Sequence, residues 1–258
     1  EIILRMTQPA CKHQVTIYWI INPLLNQAFQ IMTPQRFEKV QQVLNRRQPD
    51  LTVITDQVHK GQNLSAILRT CDAVGIHRVH AVYDTGYFRP HTGTAMGSQK
   101  WVKTEVHREI TEPIERLQRQ GFQVFAAHCD EGSAMDYREV DYTRPTALVL
   151  GAEKRGVSGP ALDIVDGCVV VPMMGMSESY NVSVACAIIL AEAQRQRAIA
   201  GLYRQCRLPD EEYHRLLFEW CQPVIARFCR ARDLAYPELD DTGHLVNPQQ
   251  FSALANRS

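Results

Sequence analysis

The strongest constraint on the fold is an alternation of short apolar runs with helical segments between residues 51 and 202. Runs such as LTVITDQV, FQVFAAHC, PTALVLGAE and CVVVPM have the length and composition of buried β-strands. Helical segments such as NLSAILRTCDAVG, which Gly75 is placed to end, lie between them. A long apolar helix, NVSVACAIILAEAQRQRAIAGL, closes the region. The pattern predicts an α/β fold in which helices cover both faces of a parallel sheet.

Helical extensions are predicted on both sides of this core. Thr33 is placed to cap a helix with Pro34 in its first turn, and apolar residues then recur at helical spacing. The change of character at Met32 indicates a natural start there, with an ordinary N-terminal strand or helix as the alternative. We therefore expect an upstream or accessory segment at 1–31, an N-terminal helical extension at 32–50, the core domain at 51–202 and a C-terminal helical extension at 203–258.

The composition excludes several classes of protein. With 45% hydrophobic and 22% charged residues, the chain is neither mainly disordered nor fibrous. Its 28 basic and 28 acidic residues give no net charge, which excludes nucleic-acid binding by bulk charge. Arginines gathered on one face remain compatible with such binding.

Cysteine spacing and hydropathy point to a cytoplasmic protein without a membrane partner. None of the eight cysteines forms a C-x-x-C pair, and the spacings fit no zinc site. Most lie in apolar runs, so we expect free thiols in a reducing cytoplasm rather than disulfides. The apolar run VTIYWIINPLL is too short and too interrupted to span a bilayer.

Three loops that follow predicted strands carry the candidate functional residues, because parallel sheets bind ligands beyond the carboxyl ends of their strands. The first loop, HKGQNLSAILRT, places Asn63 near a helix start and Arg69 farther along the same helix. In the alternative interpretation, Asn63 or Ser65 is only a helix cap and Arg69 is a solvated surface residue.

The second loop, LVLGAEKRGVSG, leads from a buried strand into Gly151, Glu153 and Gly156. Glycines at a strand end allow a ligand to approach the backbone closely, although a plain glycine-rich turn is the alternative. The loop is neither G-x-G-x-x-G nor a P-loop, which disfavours a nicotinamide dinucleotide or a nucleoside triphosphate as the ligand.

The third loop joins a strand that ends at Pro172 to the long apolar helix. Ser179 and Asn181 lie at the start of that helix, where polar residues usually act as N-caps. The first two turns of the helix are nearly all apolar and therefore buried. A loop that precedes a buried helix is placed to line a pocket.

Together the three loops resemble the motifs of the SpoU (TrmH) branch of the SPOUT methyltransferases. The matching patterns are N-x-x-x-x-x-R at 63–69, G-x-E-x-x-G at 151–156 and VVVPM…S-x-N-V-S-x-A at 169–185, in the same order and spacing. The flanking stretches RRQPDLTV and DYTRPT are similar to the tRNA guanosine-18 2′-O-methyltransferases. The resemblance extends from Met32 to the stretch LPDEEYHRLLFE.

The resemblance implies a deep C-terminal trefoil knot in the parallel sheet, which general rules of topology would not predict. It implies S-adenosylmethionine as the methyl donor, with no metal, and a homodimer whose active site is completed near the subunit boundary. The donor is held mostly by backbone groups, at positions that correspond here to Ala127, Gly151, Val171, Met173 and Tyr180. Tyr180 departs from the leucine that related sequences usually carry, a mild change if only its backbone contacts adenine.

The resemblance also implies catalytic roles for residues of the three loops. Arg69 corresponds to the proposed base, assisted by a substrate phosphate. A guanidinium group normally stays protonated. The alternative role for Arg69 is therefore that of a hydrogen-bond donor that binds the phosphate and stabilises a developing alkoxide. Asn63 would orient the ribose or Arg69, Glu153 would fix its loop, and Ser179 and Asn181 would complete the pocket.

The expected partner is tRNA, held by arginines of the two helical extensions. Arg46 and Arg47 lie on the predicted N-terminal helix, and Arg195 and Arg197 lie toward the end of the long apolar helix. Solvated helix faces are the alternative for these arginines. The expected reaction is 2′-O-methylation of guanosine 18 in the D-loop, and the alternatives are ribosomal RNA, another tRNA position or a non-catalytic RNA-binding knot protein.

Overall fold

The computed structural model describes residues 32–83, 98–128 and 134–255. These residues form two compact units, one from Val43 to Leu208 and one that combines the residues up to Gln42 with those from Pro209 onward. The expected accessory segment at 1–31 lies outside the described residues, as do Cys11 and Cys129.

A seven-stranded sheet forms the centre of the larger unit, and every pair of neighbouring strands is parallel. The order across the sheet is β3-β2-β1-β6-β4-β7-β5. The strands are β1 (Leu51–Asp56), β2 (Arg78–Val82), β3 (Lys103–His107), β4 (Gln123–Ala127), β5 (Met135–Asp136), β6 (Thr146–Leu150) and β7 (Gly167–Val170). The predicted parallel α/β fold is confirmed, whereas the knot stays a prediction.

Helices cover both faces of this sheet. On one face α2 (Gly61–Ala73) and α5 (Val182–Ile199) pack in one apolar cluster, with side chains such as Ile67 and Ile189. On the other face α3 (Thr111–Arg119) and α4 (Gly159–Leu162) pack in a second cluster, which includes Ile114. Coverage on both faces explains why every residue of β1 and of β6 is buried.

The helix ends follow the sequence signals. The helix α1 (Pro34–Leu44) begins after Thr33, whose hydroxyl oxygen accepts a hydrogen bond from the backbone N–H of Arg36 at 3.2 Å. Gly75 adopts φ +88° directly after α2, and a Cβ there would lie 2.7 Å from the carbonyl oxygen of Arg46. The predicted cap and the predicted glycine stop are both confirmed.

The smaller unit holds the helices that follow the sheet domain. These are α6 (Asp210–Cys221), α7 (Pro223–Ala231) and α8 (Pro248–Ala255). Phe218, Ile225 and Phe251 form part of its own apolar cluster, and Gln222 donates its side-chain amide to the carbonyl oxygen of Gly243 at 2.8 Å. None of the helices in the described ranges is long and apolar enough to cross a membrane.

Two of the arginines that we expected to contact RNA are instead fully buried. Arg47 donates to the carboxylate of Asp72 at 2.6 Å and to the carbonyl oxygen of Ile76 at 2.9 Å. Arg197 donates to the carboxylate of Asp50 at 2.7 Å and to backbone carbonyl oxygens. Neither guanidinium has a surface that a nucleic acid could reach in this structure, so the expectation for these two residues is corrected.

The other two expected RNA contacts are exposed. Arg46 lies on the surface directly beside the buried Arg47, and both lie just beyond α1, which ends at Leu44, rather than on the helix as expected. Arg195 has 60% of its side chain exposed and pairs with Glu192 at 2.7 Å, one turn earlier on α5. Both therefore remain available to a polyanion.

Candidate functional site

The carboxyl ends of neighbouring strands bring the three predicted loops together. The strands β1, β6, β4 and β7 lie side by side in the sheet, so the segments that follow them meet at the carboxyl-terminal end of the sheet. A cavity of about 420 Å³ opens there, within the usual size range of small-molecule sites. Its lining includes Ala127, Gly151, Glu153, Val171, Ser179, Tyr180 and Asn181.

Most of the expected donor-binding residues line this cavity. Ala127 ends β4, Gly151 follows β6 and Val171 follows β7, and all three lie in the lining of the cavity. Tyr180 also lines it, with 39% of its surface exposed. Met173 is half-buried and lies outside the lining.

The loop after β6 closes on itself through its two glycines. The backbone N–H of Gly156 donates to the carbonyl oxygen of Ala152 at 2.8 Å, and Gly156 adopts φ +67°. A Cβ on Gly151 would collide with the backbone of Gly156 and Val157. The missing side chain of Gly151 is therefore required first by the loop itself, before any ligand binds.

A chain of hydrogen bonds connects one residue from each of the three loops. The side-chain amide of Asn63 donates to a carboxylate oxygen of Glu153 at 2.6 Å. The amide of Asn181 donates to the side-chain oxygen of Asn63 at 3.2 Å, and its own oxygen accepts from the backbone N–H of Ser183. Asn181 thus caps α5 and holds Asn63 at the same time.

The cap interpretation of the first loop is wrong. The helix α2 begins at Gly61 with Lys60 as its N-cap residue, so Asn63 lies inside the first turn. Ser65 is buried and donates its hydroxyl to the carbonyl oxygen of Gly61 within the helix. Asn63 is 8% exposed, and its side chain serves the contacts to Glu153 and Asn181.

Arg69 lies on the same helix as Asn63 but on a different face. Six residues of α-helix separate them by about 9 Å along the axis and about 120° around it. Arg69 is exposed, lies outside the cavity lining, and makes no hydrogen bond or ion pair with the residues that the structure describes. Within one chain, the structure does not bring Arg69 to the cavity.

The segment between β1 and α2 is anchored by Tyr83. Its hydroxyl donates to the carbonyl oxygen of Val58 at 2.6 Å. Burial raises the pKa of Tyr83, the hydrogen bond with Thr55 lowers it, and the negative charge of Glu153 raises it further. Tyr83 therefore stays a neutral donor that fixes the entrance to α2.

Three cavity residues with ionisable side chains were not among the sequence predictions. Lys60 and Lys154 bring positive charge, and His128 follows directly after β4. The signal that could have found His128 is its position at a strand end. Lys60 could have been found because it precedes a helix start in the first loop.

Comparison with known proteins gives matches over both units. Residues 50–191 match the SpoU rRNA methylase family, and residues 195–248 match the C-terminal family of the SpoU rRNA methylases. The chain is similar to the tRNA (guanosine(18)-2′-O)-methyltransferase of Escherichia coli strain K12. The two are 46% identical over 216 residues, which are 83% of this chain and 94% of the relative.

Solved structures share the fold. A TrmH/SpoU tRNA modifying enzyme of Aquifex aeolicus is 42% identical, with a TM-score of 0.69, over 72% of this chain and 94% of that protein. An AdoMet-bound rRNA methyltransferase of Sinorhizobium meliloti is 27% identical, with a TM-score of 0.50, over 60% of this chain and 59% of that one.

Proposed function

The chain belongs to the SpoU rRNA methylase family, and on that premise we propose that it methylates the ribose 2′-oxygen of guanosine 18 in tRNA. The observation that carries the proposal is the cavity at the carboxyl ends of β4, β6 and β7. The loops that carry the SpoU-like motifs form much of its lining, and one chain of hydrogen bonds connects a residue of each motif.

The methyl donor is S-adenosylmethionine, and the cavity fits it. Gly151, which has no side chain, and Val171 lie in its lining, and the cavity lacks the glycine-rich phosphate cradle that a dinucleotide would need. When bound, the donor supplies a methyl group on a positively charged sulfur. Lys60 and Lys154 place positive charge at the same cavity, where they favour an anionic end of a ligand.

The protein's part in the reaction is to align the ribose and to handle the proton of the 2′-hydroxyl. Alignment alone contributes several kcal/mol. Asn63 is held between Glu153 and Asn181, so its position at the start of α2 is fixed before the substrate arrives. We assign Asn63 and Glu153 to positioning, and Ser179 to the wall that faces the substrate.

Arg69 and the family resemblance favour a homodimer. Arg69 is exposed and stands away from the cavity of its own chain, although its motif is the one that carries the reaction in the family. Met174 and Met176 are almost fully exposed beside the cavity loop, at 95% and 101%. We propose that a second copy covers these side chains and supplies its own Arg69 to the cavity, which completes the site.

The tRNA assignment is favoured over ribosomal RNA by the extent of the similarity. The tRNA-modifying relatives match 94% of their own length, and their identity is 46% and 42%. The rRNA methyltransferase of known structure matches 59% of its length at 27% identity. A non-catalytic role is disfavoured because Asn63, Arg69, Glu153 and Asn181 are all present. We place the protein in the cytoplasm, where tRNA is modified.

The decisive experiment is methyl transfer from labelled S-adenosylmethionine to unmodified tRNA transcripts. We expect one methyl group per tRNA, at guanosine 18, as mapped by nuclease digestion and mass spectrometry. A transcript with a pre-formed 2′-O-methyl group at guanosine 18 is the matched control and should accept none. Equal transfer to that control, or transfer to ribosomal RNA alone, would contradict the proposal.

A further inference from the structure

Three potential metal ligands meet on the sheet face that α3 covers, away from the cavity. His80 lies on β2 directly beside Glu105 of β3, and His107 lies two residues farther along β3 on the same face. Both histidines are buried, at 2% and 6% exposure, and Glu105 is 20% exposed. Among the residues that the structure describes, this is the one group of three whose ligand atoms all lie within 4.8 Å of one another.

The spacing of these atoms suits a tetrahedral ion. Nδ1 of His80 lies 3.1 Å from Nε2 of His107 and 3.6 Å from Oε2 of Glu105. Two ligands bound to zinc at about 2.0–2.2 Å in tetrahedral geometry lie about 3.3–3.6 Å apart. The two distances from His80 therefore match a shared ion to within a few tenths of an ångström, and the ligand atoms of His107 and Glu105 lie within 4.8 Å of each other. The partly exposed side admits water as the fourth ligand.

The second ring nitrogen of His107 contacts a carboxylate, as that of a metal-binding histidine usually does. Its Nδ1 lies 3.1 Å from Oε1 of Glu112, on the first turn of α3. When an ion is bound, a proton on Nδ1 that is held by this carboxylate leaves the lone pair of Nε2 for the metal. Such carboxylate partners orient metal-binding histidines and increase their basicity.

A cation already occupies the position that an ion would take. Nη2 of Arg116 lies 2.8 Å from Oε2 of Glu105 and 3.2 Å from Nδ1 of His80. The Arg116 side chain is 36% exposed, so it can turn to solvent without opening the core. The other carboxylate oxygen, Oε1, pairs with Arg78 at 3.1 Å and would hold Glu105 in place meanwhile.

We propose that His80, Glu105 and His107 bind a divalent transition-metal ion of the zinc class in exchange for the Arg116 guanidinium. The bound ion ties the edge strand β3 to β2 and to α3. Imidazole and carboxylate are ligands that zinc accepts, and the two carboxylates Glu105 and Glu112 balance its charge. The site is separate from the methyl-transfer cavity, so a test of metal binding is independent of the proposed function.

The test measures zinc binding to the full chain after chelator treatment, by equilibrium dialysis and elemental analysis. We expect one ion per chain and a higher Tm with zinc than without it, because an ion that binds only the folded state stabilises it. Glu105→Gln and His107→Gln should each weaken binding at least about tenfold, and so should Glu112→Gln. His214→Gln, which removes an exposed histidine of the smaller unit, is the control and should bind as the parent does.

The proposed exchange with Arg116 predicts a variant that binds zinc more tightly than the parent does. Arg116→Gln removes the competing cation and keeps the three ligands, so it should bind zinc several-fold more tightly. Cobalt substituted for zinc should show ligand-field bands without a thiolate charge-transfer band, which separates this site from metal binding by cysteines. Unchanged binding in both Glu105→Gln and Glu112→Gln, or no tighter binding in Arg116→Gln, would overturn the proposal, even if His107→Gln fails to fold.

Discussion

Asn63 donates its side-chain amide to the carboxylate of Glu153 at 2.6 Å, although 90 residues separate them in the chain. The contact joins the first turn of α2 to the loop after β6. It is extended to the start of α5 by Asn181, whose amide donates to Asn63. The loops that follow β1, β6 and β7 are thereby fixed relative to one another at the edge of the cavity.

Reversal of this hydrogen bond tests its role. In Asn63→Asp two carboxylates face each other, and we expect a loss of about 1–3 kcal/mol in the free energy of unfolding. We also expect methyl transfer to fall about 100-fold, because the start of α2 is no longer held. Combination with Glu153→Gln restores one donor and one acceptor with their roles exchanged, and it should recover stability and part of the rate. Urea unfolding measures the stability, and single-turnover methylation measures the rate. A double variant that is no more stable and no faster than Asn63→Asp would contradict the assignment.

Gly151 gives a second prediction, in which the loop's own backbone is decisive. A Cβ at this position collides with the backbone of Gly156 and Val157, so Gly151→Ala should already open the loop. We expect the affinity for S-adenosylmethionine, measured by calorimetry, to fall about tenfold or more. Gly159→Ala is the control, because a Cβ there meets nothing within 4 Å. Equal donor affinity in both variants would remove Gly151 from the site.

The parallel sheet, the helix caps and the grouping of the three loops could be predicted because each follows from local pattern. The strands alternate with helices, Thr33 and Gly75 stand where helix ends require them, and parallel strands place their following loops on one edge. The contact between Asn63 and Glu153 could not be predicted from spacing, since it depends on which strands become neighbours. The same holds for His80 and Glu105, which the register of β2 and β3 places side by side.

The arginines show where local pattern fails. Arg46 and Arg47 are adjacent and chemically identical, yet one is exposed and the other has no exposed surface. The difference comes from Asp72, a partner 25 residues away that compensates a buried charge. The burial of Arg197 is explained in the same way by Asp50, which lies 147 residues earlier in the chain. A sequence shows the charges but not these pairings.

The pairing of Asp50 gives a prediction for stability. Arg197 and Arg207 both donate to its carboxylate, at 2.7 Å each. Asp50→Asn leaves the buried Arg197 without its counter-charge, and we expect it to lower the free energy of unfolding by about 3 kcal/mol at neutral pH. Asp163→Asn, at an exposed position of the same unit, is the control and should change it by less than about 0.5 kcal/mol.

The same pair gives a dependence on pH. Burial raises the pKa of Asp50, but the hydrogen bonds and positive charges of Arg197 and Arg207 outweigh it, and the pKa lies below its ordinary value. As the pH falls, the unfolded chain therefore binds the proton first, near its ordinary pKa of about 3.9. The contribution of Asp50 is complete above about pH 5 and is lost as the pH drops through 4 toward the lower pKa of the folded state. Unfolding curves of the parent and of Asp50→Asn should converge over that range.

Binding of tRNA should separate the exposed arginines from the buried ones. Arg46→Ala and Arg195→Ala should keep the parent stability, since exposed ion pairs contribute little. Each should weaken tRNA binding and reduce the slope of log affinity against log salt by about one for each phosphate that the variant no longer neutralises. Arg119→Ala, with 72% of its side chain exposed on α3, is the control. Arg47→Ala should instead unfold at lower urea concentration, and parent-like stability in that variant would contradict its structural role.

Arg69 tests the mechanism itself. Its side chain is exposed, lies outside the cavity lining and makes no ion pair within the described part of the chain, so Arg69→Ala and Arg69→Lys should both keep the parent stability. Affinity for S-adenosylmethionine should be spared as well. Methyl transfer should fall about 100-fold or more in both variants, because lysine keeps the charge but loses the planar fork that can hold two oxygens at once.

In the proposed homodimer, a mixture of two variants shows whether Arg69 acts on the cavity of its own chain or on that of its partner. Arg69→Ala chains are expected to be nearly inactive alone, and Gly151→Ala chains are expected to be nearly inactive at a donor concentration far below their weakened dissociation constant, which is the concentration used here. If Arg69 acts on the partner's cavity, a one-to-one mixture that exchanges subunits contains dimers with one intact composite site, and single-turnover methylation should recover. If Arg69 acts on its own chain's cavity, no chain in the mixture has both residues and the rate stays low. A near-parent rate in Arg69→Ala alone would show that the arginine is only a solvated helix residue.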